Sequence, residues 1–284
     1  MFKVIDSKPL VPNIHQITVE AGEVARSIQP GQFVIVRAED GGERIPLTGS
    51  DWDQSAGTIT LVFMVIGHTT HRLSLVSSGM EIPTVVGPLG NPLEMKKYGT
   101  VLCLGGCYGI GSIYPVARSL KEQGNRIISV VEARSSHLFF REEKLKEVSD
   151  QLFFITRDGS RGLKGHVGAQ LPRIIDSLDF PVDLIIINGC NFLMKRGTDI
   201  SRSMNIKTLV SLNTIMIDGT GMCGVCRVTI DGKRKFACVD GPYFDGHQVD
   251  WEELGTRRQM YLREEVLPLR TSEAEERHPS VRKV

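Results

Sequence analysis

No stretch of this 284-residue chain approaches the roughly 20 uninterrupted apolar residues of a membrane-spanning helix. The opening MFKVIDSKPLVPNIHQ lacks the continuous apolar segment of a signal peptide, so a soluble, cytoplasmic protein is expected. An excess of one charge is missing too. The 34 Lys and Arg against 33 Asp and Glu leave +1, which recommends neither nucleic acid nor an anionic membrane as a partner. Specificity must then lie in local sites. There is no internal repeat, no low-complexity tract and no G-K-[ST], which disfavours a nucleoside triphosphate hydrolase, and no three glycines of the strand-to-helix turn at 105–111 stand in G-x-G-x-x-G register, so that turn does not fit the usual dinucleotide fingerprint. The six cysteines, at 103, 107, 190, 223, 226 and 238, form no secreted-type framework, and three share one short loop, as suits a reducing compartment.

What is present is concentrated between Asp218 and Cys238, DGTGMCGVCRVTIDGKRKFAC, whose skeleton is Asp218-x4-Cys223-x2-Cys226-x11-Cys238. Plant-type iron–sulfur sites use C-x4-C-x2-C…C, and here an aspartate takes the first position. Gly219, Gly221 and Gly224 let the backbone turn tightly enough for thiolates to converge. Structural zinc takes four ligands in two close pairs. Only one close pair exists here, which favours a [2Fe–2S] cluster held by Cys223, Cys226 and Cys238. Asp218 has two readings: the first residue of an Asp-Gly turn, or the fourth ligand, since no cysteine stands there and a carboxylate keeps the charge of a thiolate.

Ahead of this loop the chain changes rhythm once. Up to about residue 96, HQITVEA, PGQFVIVRAED, GTITLVFMVIG and MEIPTVVGPLG are short strand-like runs between turn residues, which predicts a small antiparallel barrel or sandwich. From Thr100 strands and helices alternate: TVLCL, SIYPVARSLKEQ with Pro115 in its first turn and Gly124 as its stop, RIISVVEA, HLFFREEKLKEVS, QLFFIT, GAQLPRIIDSL, VDLIIING and IKTLVSL. That predicts parallel strands with crossover helices. The expected division is a barrel over 1–97, an α/β unit over 98–212, a cluster segment over 213–260 and a charged tail over 261–284.

Three further motifs carry binding chemistry. Arg44-Ile-Pro46-Leu47-Thr48 follows a strand, and its guanidinium and hydroxyl suit a pyrophosphate and a flavin ring, though an ordinary strand start with a surface arginine reads the same way. Gly67-His-Thr69-Thr70-His-Arg-Leu offers backbone N–H groups and two hydroxyls at a turn-to-helix step, or simply a capped helix; the two motifs in succession raise the flavin reading. The turn Gly105-Gly106-Cys-Tyr-Gly109-Ile110-Gly111 lies between strand and helix, the setting of a phosphate loop and equally of a tight turn that needs small residues. Glu132 closes the next strand, where a carboxylate accepts from ribose hydroxyls and favours NADH, while the adjacent Arg134 argues for a 2′-phosphate. Gly189 to Met194 is another small-residue turn at a carboxyl end of the sheet, with Cys190 in it.

Taken together, RIPLT, the GxTTxxL turn, GPLGNP at 87–92, the glycine turn before SIYP, the GxxxxM turn and DGTGMCGVCRVT…FACVDGP resemble the flavin- and iron–sulfur-carrying members of the ferredoxin–NADP reductase superfamily. The likeness is strongest to the small subunit of NADH-dependent reduced ferredoxin:NADP oxidoreductase, also described as the beta subunit of sulfide dehydrogenase. It implies a flavin-binding antiparallel β-barrel, a parallel-sheet NAD-binding domain and a C-terminal [2Fe–2S] loop. FAD would lie on Arg44, Pro46, Leu47, Thr48, Val65, Gly67, Thr69 and Thr70. NAD(H) would lie on Gly105, Gly106, Gly109, Ile110, Gly111, Glu132, Arg134, Gly189 and Met194. Asp218, Cys223, Cys226 and Cys238 would hold the cluster. Electrons would pass between NAD(H) and a larger partner subunit that handles ferredoxin and NADP(H), in a complex of the kind that bifurcates electrons, with no acid–base side chain required. The sibling electron-transfer subunit of dihydroorotate dehydrogenase has four cysteines, so Asp218 sets this chain apart from it. Cys107 and Cys190 stand where the pattern has glycine and proline, which leaves open a relay subunit with a decayed NAD pocket.

Overall fold

The computed structural model describes residues 1–260, so the expected charged tail over 261–284 lies outside the described residues. The first part is one curled antiparallel sheet. Its strands are β1 (Phe2–Val11), β2 (Ile14–Glu20), β3 (Phe33–Arg37), β4 (Ile45–Asp53), β5 (Thr58–Met64), β6 (Glu81–Ile82) and β7 (Thr84–Leu89), with short helices α1 (Gly22–Ser27) and α2 (His68–Ser74). The order is β6-β1-β2-β5-β4-β3-β7. Its two edges are successive stretches of one segment, broken at Pro83, which has no N–H to donate to a ladder. The single strand expected over MEIPTVVGPLG is therefore two. Period-two alternation sends Val4, Ile17, Val19, Val34, Val36, Ile59, Leu61 and Phe63 into a shared core.

The second part begins with β8 (Thr100–Gly106), α3 (Gly109–Glu122), β9 (Arg126–Ala133), α4 (Glu142–Val148), β10 (Gln151–Thr156) and β11 (Leu163–Lys164). It continues through α5 (Val167–Asp176), β12 (Leu184–Asn188), α6 (Asn191–Ser203) and β13 (Thr208–Ser211). Beyond these come β14 (Arg227–Ile230), β15 (Lys233–Phe236), β16 (Tyr243–Asp245) and α7 (Trp251–Arg258). The sheet order is β11-β10-β9-β8-β12-β13-β16, parallel except for β16. Every residue of β8 and β12 is buried, because helices cover both faces, and this is why these strands read as unbroken apolar runs. The chain runs outward from β8 to β11 and then returns to β12 on the other side of β8. In such sheets ligands bind in the crevice outside the carboxyl ends where the order reverses.

Local geometry departs from expectation in four places. The helix expected over HLFFREEKLKEVS is a short 3-10 turn at Ser136–Leu138 and then α4, separated at Arg141, whose φ of 56° is left-handed. Pro115 falls in the second turn of α3, because that helix starts at Gly109. The stretch after Cys226 makes a hairpin, β14 with β15, turned by Asp231 and Gly232 at φ 50° and 67°. Tyr243 to Asp245, expected only to pack around the cluster loop, extends the large sheet against β13.

The two parts meet across a polar seam. The Arg141 guanidinium donates to the Ser50 carbonyl at 2.8 Å, the Gly111 carbonyl at 3.3 Å and the Gln16 side-chain oxygen at 3.0 Å. Beside it Asp51 receives Arg118 at 2.9 Å and Lys144 at 2.6 Å, and these two cations hold its carboxyl below the usual range against the opposing effect of burial. Gly111 presses on the barrel itself: a Cβ there would lie 2.9 Å from Val62.

Candidate functional site

The cluster loop is built by glycines that accept positive φ, 74° at Gly219, 85° at Gly221 and 68° at Gly224. Asp218 braces it from within. One carboxylate oxygen accepts the Thr220 N–H at 2.9 Å and the other accepts the Cys223 N–H at 2.8 Å, and these backbone donors hold the carboxyl below its ordinary value. The β14–β15 hairpin brings its two flanks together, so that the sulfurs of Cys226 and Cys238 lie 3.1 Å apart, both buried. Burial and the neighbouring Cys226 push the Cys238 thiol up to about 12. Cys223 stays exposed, and among the described residues no three His, Cys, Asp or Glu side chains converge as a metal-holding group.

Of the four expected ligands, then, two are in contact and Asp218 is turned into its own loop. The donor chemistry still fits an iron–sulfur cluster. Two buried thiols in contact do not ionise together without positive charge beside them, and a bound metal supplies that charge. A carboxylate has about four lone-pair sites, so Asp218 can keep both N–H bonds and still reach a ligand. A cavity of about 240 Å³ opens beside Cys223, with Thr214, Arg227, Arg257 and Arg258 in its wall.

The loop is fastened to the barrel. A Cβ on Gly219 would stand 2.8 Å from Leu89 and 3.0 Å from Ile35. Asn91 donates through its side chain to the Val239 carbonyl at 3.0 Å and through its backbone to Gly241 at 2.7 Å.

In the barrel, Pro46, Leu47 and Thr48 pair with Ile35, Val34 and Phe33. Arg44 is exposed and has no hydrogen-bond or ion-pair partner among the described residues, which suits a guanidinium reserved for an anion. The Thr69 hydroxyl donates to Glu43 at 3.1 Å and ties the β3–β4 connection to α2. Thr70 is spent locally: its hydroxyl accepts the N–H groups of Ile66 and Gly67 at 3.1 and 3.0 Å and donates to the Gly67 carbonyl, closing the first turn of α2. The capped-helix reading of that threonine accounts for all of these bonds. Val65 is half-buried where β5 ends, its N–H bonded to Asn13.

At the crevice, packing explains the glycine turn. A Cβ on Gly109 would lie 2.1 Å from the Asn188 carbonyl oxygen, and one on Gly106 would lie 2.7 Å from Leu193. Gly189 has φ 152° and would meet the Gly106 carbonyl at 2.9 Å. Cys107, by contrast, holds a left-handed φ of 53° without being glycine.

Two expected nucleotide contacts point elsewhere. Glu132 is buried, one oxygen accepts the Val167 N–H at 2.7 Å at the start of α5, and the other is 3.8 Å from Arg157. Its carboxylate caps a helix, and burial raises its pKa. Met194 is wholly buried in the core beneath the sheet and offers no surface to a nucleotide. Arg134 is exposed at the carboxyl end of β9. Ile110 is buried between α3 and the sheet.

Tyr108 lies inside the glycine turn, whose pattern gives its side chain no role. Its hydroxyl donates to the Gly189 carbonyl at 2.8 Å and accepts from the Asn213 amide at 2.7 Å. It thereby pins both crevice turns to the segment that leads into the cluster loop.

Comparison with known proteins bears on the same segments. Residues 213–250 match a family described as the iron–sulfur cluster binding domain of dihydroorotate dehydrogenase B. The chain is 43% identical over 265 residues to a Thermotoga maritima protein named as a homolog of the electron-transfer subunit of dihydroorotate dehydrogenase B (NAD(+)), covering 93% of both chains. It is 30% identical over 252 residues to the Bacillus mycoides protein of that name, covering 85% of this chain and 94% of the other. A chain of the solved structure of NADH-dependent reduced ferredoxin-NADP oxidoreductase, described in connection with flavin-based electron bifurcation, superposes with a TM-score of 0.89 at 41% identity, over 94% of this chain and 96% of that one.

Proposed function

Because the chain belongs to the family of electron-transfer subunits typified by that of dihydroorotate dehydrogenase B, we propose that it carries electrons between NAD(H) and a larger partner subunit through FAD and a [2Fe–2S] cluster. The observation that carries this reading is the loop at 218–238: a touching pair of buried thiols, a third thiol and a carboxylate on one glycine-built loop, within the residues that match the cluster-binding family. When bound, the flavin exchanges two electrons as hydride with nicotinamide and single electrons with the cluster, chemistry that belongs to the cofactors.

What the chain supplies is placement. Arg44, without a hydrogen-bond or ion-pair partner among the described residues, would take the FAD pyrophosphate, with Pro46, Leu47, Thr48, Val65, Gly67 and Thr69 along the ring and ribityl chain. Gly105, Gly106, Gly109 and Gly189 let the two crevice turns pack closely on each other and Gly111 lets α3 pack on the barrel, and a dinucleotide would approach the backbone N–H groups at the start of α3. Arg134, exposed just after β9, would face its adenosine ribose. Cys223, Cys226 and Cys238 would ligate the cluster, with Asp218 as fourth ligand. The functional divisions follow as 1–97 for FAD, 98–212 for NAD(H) and 213–260 for the cluster, in a cytoplasmic heteromeric complex.

Two measurements on purified protein test this. Iron and acid-labile sulfide should be present in about equal amounts, and zinc without sulfide rules out the cluster. Anaerobic NADH should bleach the flavin absorbance. An unbleached spectrum leaves a relay subunit without a working NAD pocket. The name of the large subunit that co-purifies, a dihydroorotate-oxidising barrel or a ferredoxin- and NADP-handling flavoprotein, decides between the two kinds of complex named among the relatives.

A further inference from the structure

The two cysteines of the crevice have no part in the function derived so far. Cys107 follows β8 by one residue and precedes the first residue of α3 by two, and Cys190 directly precedes α6. Strand register sets the two turns side by side: Gly105 pairs with Asn188 at the end of the ladder, and each cysteine lies two residues beyond one member of that pair. Adjacent strands run about 4.8 Å apart, so turns that keep this spacing would bring the two residues within the Cα separation of about 4.4–6.8 Å that a disulfide spans.

The turns do not splay beyond the sheet. A Cβ on Gly109 would lie 2.7 Å from the Gly189 nitrogen, one on Gly189 would lie 2.9 Å from the Gly106 carbonyl, and the Tyr108 hydroxyl bonds the Gly189 carbonyl at 2.8 Å. Cys107 is exposed and Cys190 half-buried, whereas Cys103 is enclosed in the core, so the crevice pair is open to small reagents. Burial raises the Cys107 thiol above its ordinary value, proximity to Cys190 and Glu132 acts in the same direction, and Arg134 and Arg157 act against it. The left-handed φ of 53° at Cys107 is a conformation that glycine adopts without strain, so a cysteine there is held at a conformational cost.

We propose that Cys107 and Cys190 form a reversible disulfide across the nucleotide crevice, closing it under oxidising conditions. The oxidant is of the peroxide class. One thiolate sulfur attacks a peroxide oxygen, the O–O bond breaks, and a sulfenic acid forms as the first water leaves. The second thiolate then attacks that sulfur, the S–S bond forms and the hydroxyl leaves as a second water. The two electrons lost by the sulfurs reduce one hydrogen peroxide, and the two thiol protons end in the two waters. A dithiol reductant reverses the change by exchange and is itself oxidised to a disulfide. Transient redox-sensing disulfides of this kind are the ones that suit a reducing compartment. The bridge would lie where the dinucleotide pyrophosphate approaches α3, so the consequence for NADH rests on the nucleotide reading above.

The test treats the holoprotein with a small excess of hydrogen peroxide, alkylates free thiols, and maps unreduced peptides by mass spectrometry. The expected product is a peptide pair linked through Cys107 and Cys190. It should be absent from both Cys107→Ser and Cys190→Ser, and dithiothreitol should remove it. NADH affinity, read as quenching of nucleotide fluorescence, should weaken by about tenfold or more in the oxidised protein, return with dithiothreitol, and not respond to peroxide in either serine variant. Separately alkylated Cys107 and Cys190, or a linked pair with unchanged NADH affinity, overturns the proposal. Failure of the underlying nucleotide reading looks different, because the reduced protein then binds no NADH at all.

Discussion

The crevice and the cluster loop are both rich in glycine, but for different physical reasons. At the crevice, neighbouring atoms exclude a side chain: a Cβ on Gly109 would sit 2.1 Å from a carbonyl oxygen of β12. At Gly224 of the cluster loop the backbone dihedral excludes it: φ is 68°, and the nearest atom a Cβ would meet is 3.7 Å away on Phe236. The crevice is shaped by the rigid elements around it, and the loop by its own turns and one aspartate, with Gly219 alone seated closely against the barrel. A site of the first kind stands ready before its ligand arrives, whereas in the second only one thiol pair is in contact.

That contrast can be broken by mutation. The largest effect is expected at the thiol pair. Cys226→Ser and Cys238→Ser should each yield protein without stable iron and sulfide, while their crevice still binds NADH, because the two sites are separately built; iron and sulfide assays beside nucleotide titration check this. Gly109→Ala comes next. Overpacking against backbone that cannot move should cost about 3 kcal/mol, against about 1–2 kcal/mol for the left-handed strain of Gly224→Ala, compared by urea unfolding.

The smallest effect is expected at Glu132. Its carboxylate is spent on Val167, so Glu132→Gln should change NADH affinity by less than about threefold, roughly the weight of a neutral hydrogen bond or less. The same variant tests a sign. Burial raises the Glu132 pKa from 4.5, so the folded protein holds that proton more tightly than the unfolded chain. The stabilisation is fully present below 4.5 and is lost as pH rises through the folded value. Unfolding of Glu132→Gln followed upward from pH 4.5 should lack this decline.

The α/β alternation was legible because strands buried on both faces leave apolar runs such as TVLCL and LIIIN that side-chain periodicity cannot disguise. The cluster segment was legible from spacing alone. The β14–β15 hairpin carried an Asp-Gly turn signal that the metal spacing overshadowed, and its second strand, Lys-Arg-Lys-Phe, is too charged to look like one. Thr70, Glu132 and Met194 illustrate a different limit. A motif places each at the right end of the right element, but the hydroxyl caps α2, the carboxylate caps α5 and the thioether faces the core. Where a side chain points depends on neighbours that are distant in sequence.

The attachment of Gly219 to Ile35 and Leu89 has a consequence for the order of assembly. Chains emerge from synthesis N-terminus first and domains fold largely as units. The wall against which the cluster loop folds is therefore complete well over a hundred residues before the loop itself exists. The loop folds against a barrel already standing, so loading with iron comes late in the chain's maturation.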